Sequence, residues 1–274
     1  MLSTVHIFNW VIPLLYWITI GIYLYDFIKR TKKFTNSKRV FLFLTLLLHT
    51  FYLLTRTTAL EHPPITNVFE IFTVLAFCIS LSYFVLELMT DIRGTGLFII
   101  AISLIFQTIS SIFIQDSFTE KEVLKSGLLG SHVFSALIGY SGITLSAIYG
   151  FLYLLLYKEL KLNRFGLIFE QLPNLEKLEQ LSFYAAIIGF VCLSCAITIG
   201  IIWLPKAFVE YSVYDPKLIG TALVWLLYGI GILSKALGGW HGKRVVVFSI
   251  IGFVIAISST FVSNFLAKSF HSFY

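Results

Sequence analysis

The stretch LSFYAAIIGFVCLSCAITIGIIW, from Leu181 to Trp203, carries no charged residue. A helix rises about 1.5 Å per residue and the hydrocarbon core of a bilayer is about 30 Å thick, so this run is long enough to cross it once. Seven more stretches share its character: Val5 to Ile28, Val40 to Thr55, Thr66 to Met89, Gly94 to Ile114, Leu128 to Tyr157, Lys217 to Leu237 and Val245 to Leu266. Continuous apolar runs close their backbone hydrogen bonds within each segment, which argues for helices and against the alternating strands of a barrel. The sequence therefore predicts an all-α fold, a polytopic integral membrane bundle of eight transmembrane helices forming a single transmembrane domain over 1–274.

Composition agrees. The 274 residues are 58% hydrophobic, 17% aromatic and only 12% charged, with a mean hydropathy of +0.88. Soluble domains carry about 25% charged residues, so disorder, a coiled coil, a disulfide scaffold and a large soluble catalytic domain are all excluded. The first span starts close to Met1 with no basic residue before it and no small-residue cleavage site, and reads as a retained helix.

The net charge of +6 is a topology record. Of the 20 Lys and Arg residues, 14 fall in alternate loops, at Lys29 to Arg39, Arg93, Lys158 to Lys177, Lys235, Lys243 and Arg244, against six on the other side. That asymmetry puts the basic loops in the cytoplasm and both termini outside, and leaves no call for a nucleic-acid partner. The longest cytoplasmic loop, Lys158 to Gln180, suits a short interfacial helix or a docking site for a cytosolic protein.

Histidine is the frequent side chain here that ligates a metal or haem iron as a neutral base. His6, His62, His132 and His271 fall on the outer side, His241 in a cytoplasmic loop, and His49 inside the second span. His132 and His271 sit at the same depth on different helices and could close on a flat ligand. His49 is either a ligand or a neutral imidazole bonded to a hydroxyl such as Thr45 or Ser80, and both roles stay open.

The outer loop Trp203 to Lys217 holds Phe208, Tyr211, Tyr214, Asp215 and Pro216, an interfacial belt or a shelf for a planar macrocycle. Cys192 and Cys195, in apolar sequence, are expected to pack, as is Cys78. The outer acidic residues, Glu61, Glu70, Asp116, Glu120, Glu122, Glu210 and Asp215, are expected to be solvated. No nucleotide-binding, serine-hydrolase or metalloprotease motif is present, and nothing demands an enzyme.

Several segments resemble the cytochrome c assembly family of CcsA- and CcmC-type haem-handling membrane proteins. They are Pro64-Ile65-Thr66-Asn67-Val68-Phe69-Glu70, Ser131-His132-Val133 with Tyr140, Gly239-Trp240-His241-Gly242-Lys243-Arg244, and the terminal His271-Ser272. Within that family the chain is most similar to the HemX type, through Tyr23-Leu24-Tyr25-Asp26-Phe27 and Leu152 to Lys161. The resemblance implies noncovalent haem b, with His132 and His271 as axial ligands. It implies a tryptophan-rich haem-binding segment before Asp215, where this chain has Phe208, Ser212 and Tyr214; Trp203, Phe208, Tyr211 and Tyr214 are then expected to pack on or beside the porphyrin, Asp215 to orient the loop, and Lys206 or Lys217 to meet the propionates. His49 resembles the family's early transmembrane haem-binding histidine, but its expected partner position falls near Leu233, which cannot ligate iron.

The function implied is a haem-binding membrane protein that carries, exports or positions haem for cytochrome c assembly. Its implied partners are haem, the bilayer and an apocytochrome c, another assembly subunit or a haem-synthesis enzyme. The alternative is a membrane regulator of haem biosynthesis acting on a cytosolic enzyme through residues 158–180. The location implied is a plasma membrane of the bacterial inner-membrane kind.

Overall fold

The computed structural model describes residues 1–29, 35–90, 92, 94–116, 127–207 and 214–266. Within them run α1 (Leu2–Lys29), α2 (Thr35–Leu60), α3 (Val68–Thr90), α4 (Gly96–Phe113), α5 (Gly127–Lys161), α6 (Leu167–Gln171), α7 (Leu175–Ala207), α8 (Pro216–Ala236) and α9 (Lys243–Phe261), which ends in a π turn, Val262–Leu266. Eight of these helices are long and apolar enough to cross a membrane, and α6 is the short exception. The chain is an all-helical, multi-pass membrane protein. It sorts into two compact units, Met1–Leu124 with Glu159–Pro173 and Lys125–Lys158 with Asn174–Tyr274.

The first unit is a ring of four helices in which α1 packs on α2 and α4, and α3 packs on α2 and α4. Its distribution of side chains is that of a bundle solvated by lipid. Trp10, Leu14 and Trp17 of α1 and Phe43, Leu47 and Leu54 of α2 are exposed, whereas the buried set includes Asn9, Thr19, Thr45, His49, Thr73 and Gln107. An unpaired polar group facing hydrocarbon costs several kcal/mol, so these side chains turn inward and bond to one another. Asn9 donates to the Ser111 carbonyl at 2.9 Å, Tyr52 donates to Asn9 at 3.1 Å, and the Thr19 and Thr45 hydroxyls share a bond of 2.8 Å.

Charged clusters close this interior at both ends. At one end Glu70 accepts from Arg56 Nε at 3.0 Å and Nη2 at 2.9 Å, and its other oxygen accepts from the Thr66 amide and hydroxyl, each at 2.7 Å. Arg56 also reaches Asp116 and the Gln115 carbonyl, both at 3.0 Å. Asn67 caps α3 by accepting from the Phe69 and Glu70 amides. The segment Pro64 to Glu70 is therefore a helix start and an ion-pair anchor in one. At the other end Lys38 pairs with Asp26 at 2.8 Å and Glu87 at 3.4 Å, and Tyr23 donates to Glu87 at 2.6 Å.

Two expectations are corrected by these clusters. The second span runs over Thr35–Leu60 instead of Val40 to Thr55, because Lys38 and Arg56, each 1% exposed, lie in the bundle against counter-charges and not in loops. Glu70, expected to be solvated, is buried at 0% exposure; Asp215, in the second unit, is likewise buried at 4%.

The second unit is built on close backbone approach. A Cβ at Gly142 of α5 would come within 2.8 Å of the Gly189 nitrogen and 2.9 Å of the Ala185 carbonyl oxygen of α7. Small residues let helices touch in this way where lipid removes the hydrophobic drive for association. Ser182 of α7 donates to the Ser146 carbonyl at 2.8 Å, and Ser146 donates to Ser249 of α9 at 3.0 Å. Ile143, Ala186, Leu193, Val224, Tyr228 and Ala256 form the apolar core. The turn between α8 and α9 has positive φ at Gly239 (64°) and Gly242 (63°), which explains the glycines of that motif. Glu179 ties the turn to α7, accepting from Lys235 at 2.6 Å and from the Gly242 amide at 2.8 Å.

Candidate functional site

His132 stands in the second turn of α5, and its Nδ1 lies 2.8 Å from the carbonyl oxygen of Ala196 on α7. A carbonyl only accepts, so Nδ1 carries the proton and the neutral ring keeps its lone pair on Nε2. Among the described residues Nε2 makes no hydrogen bond. A histidine that donates one ring N–H to a carbonyl and offers the other nitrogen is the arrangement iron ligands adopt. The donor therefore fits haem iron. The ring lies against Gly200, where a Cβ would be 3.0 Å from Cε1 and 3.1 Å from Nδ1.

Trp203 follows Gly200 on the same helix and is 8% exposed. Asp215 is the N-cap of α8: its carboxylate accepts from the Lys217 amide at 2.9 Å, and Pro216 fills the first helical position. Lys217 is near enough to His132 to act on it electrostatically. Tyr214 is exposed just before the cap. The second unit thus supplies His132, Trp203, Asp215 and Lys217 from α5, α7 and the start of α8. His271, Phe208 and Tyr211 lie outside the described residues, as does the side chain of Lys206.

His49 belongs to the first unit and is fully buried. Its Nε2 is 3.0 Å from the Thr73 hydroxyl and its Nδ1 is 3.2 Å from the Tyr16 hydroxyl. Thr73 spends its own proton on Gln107 Oε1 at 2.7 Å, and Gln107 in turn donates to Ser111 at 3.1 Å. The Thr73 oxygen must then accept from Nε2–H, which leaves Nδ1 to accept from Tyr16. Both nitrogens are engaged, by Tyr16 and Thr73 in place of Thr45 or Ser80, and the ring is bordered by Tyr52 and Phe77.

Sequence reasoning missed the ion pairs that tie the helices together within each unit. Lys38, Arg56, Glu87 and Glu179 each sit in or beside an apolar span with an opposite charge at matching depth on another span. That matching is the signal that would have found them, since intramembrane charges pair. His6, 65% exposed at its side chain, meets Asp116 at 3.4 Å, and the His62 Nδ1 faces the Pro63 carbonyl at 2.9 Å. His241 is exposed in the turn before α9. Among the described residues no cluster of three or more His, Cys, Asp or Glu forms a protein-only metal site. The three cysteines are free thiols: Cys78 packs in the interior as expected, Cys192 is half-buried, and Cys195 is exposed.

Comparison with known proteins bears on what such a bundle does. The profile of the family described as "Cytochrome C assembly protein" matches residues 9–271. The chain is similar to the cytochrome c biogenesis protein CcsA of Mesostigma viride, at 26% identity over 78% of this chain and 78% of that one. It is 26% identical to CcsA of Guillardia theta over 77% of this chain and 76% of the relative. For CcsA of Heterosigma akashiwo the identity is 24%, over 94% of this chain and 89% of the relative. A profile match across almost the whole length, on an eight-span helical chain, places this protein in the cytochrome c assembly protein family.

Proposed function

We propose that the protein is a haem carrier of cytochrome c assembly, which holds haem b noncovalently at the outer membrane face and positions or exports it for attachment. One observation carries the reading: His132 is fixed as the Nδ1–H tautomer by the Ala196 carbonyl, which makes Nε2 a ready iron ligand. In this reading His271 supplies the second axial nitrogen. Trp203, Phe208, Tyr211 and Tyr214 pack on or beside the porphyrin, and Lys217 or Lys206 meets a propionate. Asp215 sets the shelf by capping α8, so that the loop leaves Trp203 and returns at a fixed helix start. When bound, the haem is itself the cargo, and the chain supplies only ligation, stacking and charge. His49 is assigned to packing, because binding iron would cost it the bond to Tyr16 or Thr73.

The membrane orientation in this reading, both termini and the His132 end outside, rests on the 14 to 6 division of basic residues, which the burial of Lys38 and Arg56 leaves at 13 to 5. The bacterial plasma membrane as its setting rests on the resemblance of the sequence to the HemX type.

The test is purification in mild detergent, loading with haem, and absorption spectra of the wild type, His132→Ala and His271→Ala. The wild type should show a low-spin spectrum that each substitution converts or bleaches. A colourless wild type, or spectra unchanged in both variants, refutes the ligand assignment.

A second reading has its own support. Between α5 and α7 the side chains of Leu162, Phe165, Leu167 and Phe169 are exposed, an apolar surface suited to a cytosolic haem-synthesis enzyme. Phe165→Ser with Leu167→Ser would then change that enzyme's abundance while leaving haem content intact. This is the alternative role drawn from the sequence, regulation of haem biosynthesis through residues 158–180.

A further inference from the structure

A helical carbonyl is already bonded to the amide four residues on, and the side chain at that later position covers the patch around it. A second donor reaches such an oxygen from the side only where that cover is absent. In α7 the residue four after Ala196 is Gly200, and the atoms that a Cβ there would meet are Cε1 and Nδ1 of His132. The atom crowded at 3.1 Å is thus the same nitrogen that bonds the Ala196 oxygen at 2.8 Å. Other glycines of the unit serve different ends: Gly142 admits the α7 backbone, and Gly130, on the same helix as His132, has nothing within 4 Å of its Cβ position.

We propose that Gly200 is the positioning residue for His132. By leaving the Ala196 carbonyl open it fixes the imidazole as the Nδ1–H tautomer, and so presents Nε2 to the iron. The part concerning iron rests on the haem-carrier reading; the tautomer is a property of the haem-free protein and stands apart from it. Ligand orientation by a second partner of this kind typically changes metal affinity by about 10- to 100-fold.

The experiment has two arms on the full chain in detergent. In the first, haem-free protein labelled with 15N-histidine is examined by NMR, with the His132 signals identified by their loss in His132→Ala. The wild type should show protonated Nδ1 and unprotonated Nε2. Gly200→Ala, which requires the ring to give by only a few tenths of an ångström, should shift these signals. Gly200→Val should abolish the pattern, and Gly130→Ala should preserve it. In the second arm, haem titration should show affinity reduced about 10- to 100-fold in Gly200→Val. The midpoint potential of its bound haem should rise, since an imidazole without the carbonyl bond donates less charge to ferric iron.

If Gly200→Val does not fold, Gly200→Ala decides the first arm. A wild-type tautomer protonated at Nε2, or wild-type NMR signals in both Gly200 variants, overturns the proposal. A tautomer change with haem binding indifferent to both Gly200→Val and His132→Ala overturns the haem-site reading itself, and with it the role assigned to Gly200 there.

Discussion

Replacing Glu70 by alanine removes the acceptor of four hydrogen bonds at once, two from Arg56 and two from Thr66. Arg56 is left buried, with Asp116 and the Gln115 carbonyl as its remaining bonded partners. Breaking one side of a buried ion pair costs about 3–5 kcal/mol, because the surviving charge is uncompensated. Asp116 still offsets part of that charge, so the lower end, about 3 kcal/mol, applies here. The orphaned Thr66 amide adds about 1 kcal/mol. Glu70→Ala should therefore destabilise the first unit by about 4 kcal/mol. The double variant Arg56→Met with Glu70→Leu should lose less than Glu70→Ala alone, since neither fully buried charge remains and Asp116, left without Arg56, is partly exposed beside His6. Pulsed maleimide labelling of Cys78, buried on the same helix as Glu70, reads the opening of this bundle in a Cys192→Ala, Cys195→Ala background. A loss below about 1 kcal/mol for Glu70→Ala, or a double variant as costly as the summed singles, would refute the reasoning.

Three further outcomes are expected. His49→Phe strands the Tyr16 hydroxyl and removes the donor to the Thr73 oxygen, which keeps its own bond to Gln107, and should cost about 1–3 kcal/mol by the same labelling assay, while the spectrum of the outer haem stays at wild type; a bleached spectrum would return His49 to the ligands. Glu179→Ala frees Lys235 and the Gly242 amide, so trypsin should cut at Lys243 or Arg244 several times faster, with Glu179→Gln intermediate because its amide oxygen can still accept from Gly242; equal rates for all three proteins would show that the turn is held otherwise. Gly142→Val drives a branched side chain into the α7 backbone and should cost about 1–3 kcal/mol in thermal stability, whereas Gly130→Ala should be neutral.

Hydrophobic run length found all eight spans, because a bilayer fixes how many apolar residues a crossing needs. It misplaced the ends of α2 because a charge was taken as the mark of a loop, and that rule fails wherever a neighbouring helix brings the opposite charge to the same depth. Lys38 and Arg56 are both instances. The site was legible in a different measure. Residue type and helix-end position picked out His132 as a candidate, yet the bond that leaves its Nε2 open, to the Ala196 carbonyl, lies 64 residues away on another helix. The polar partners of His49 were beyond reach for the same reason. Many hydroxyls lie within the spans, and only the packing of α1, α2 and α3 decides that Tyr16 and Thr73 are the ones that meet it.

The buried charges of α2 also bear on how the chain is made. Leaving the insertion machinery alone, this helix would carry Lys38 and Arg56 into lipid with no counter-charge, at about 2.5–3.5 kcal/mol for each such residue deep in a membrane and less near the ends. Asp26 comes from the helix synthesised before it, while Glu70 and Glu87 come from the one synthesised after. The counter-charges therefore favour release of the three helices into the bilayer together over release of α2 alone. Loss of Asp26 or Glu87 would then show itself during biosynthesis, as inverted or degraded nascent chains, before any defect in the finished protein could be measured.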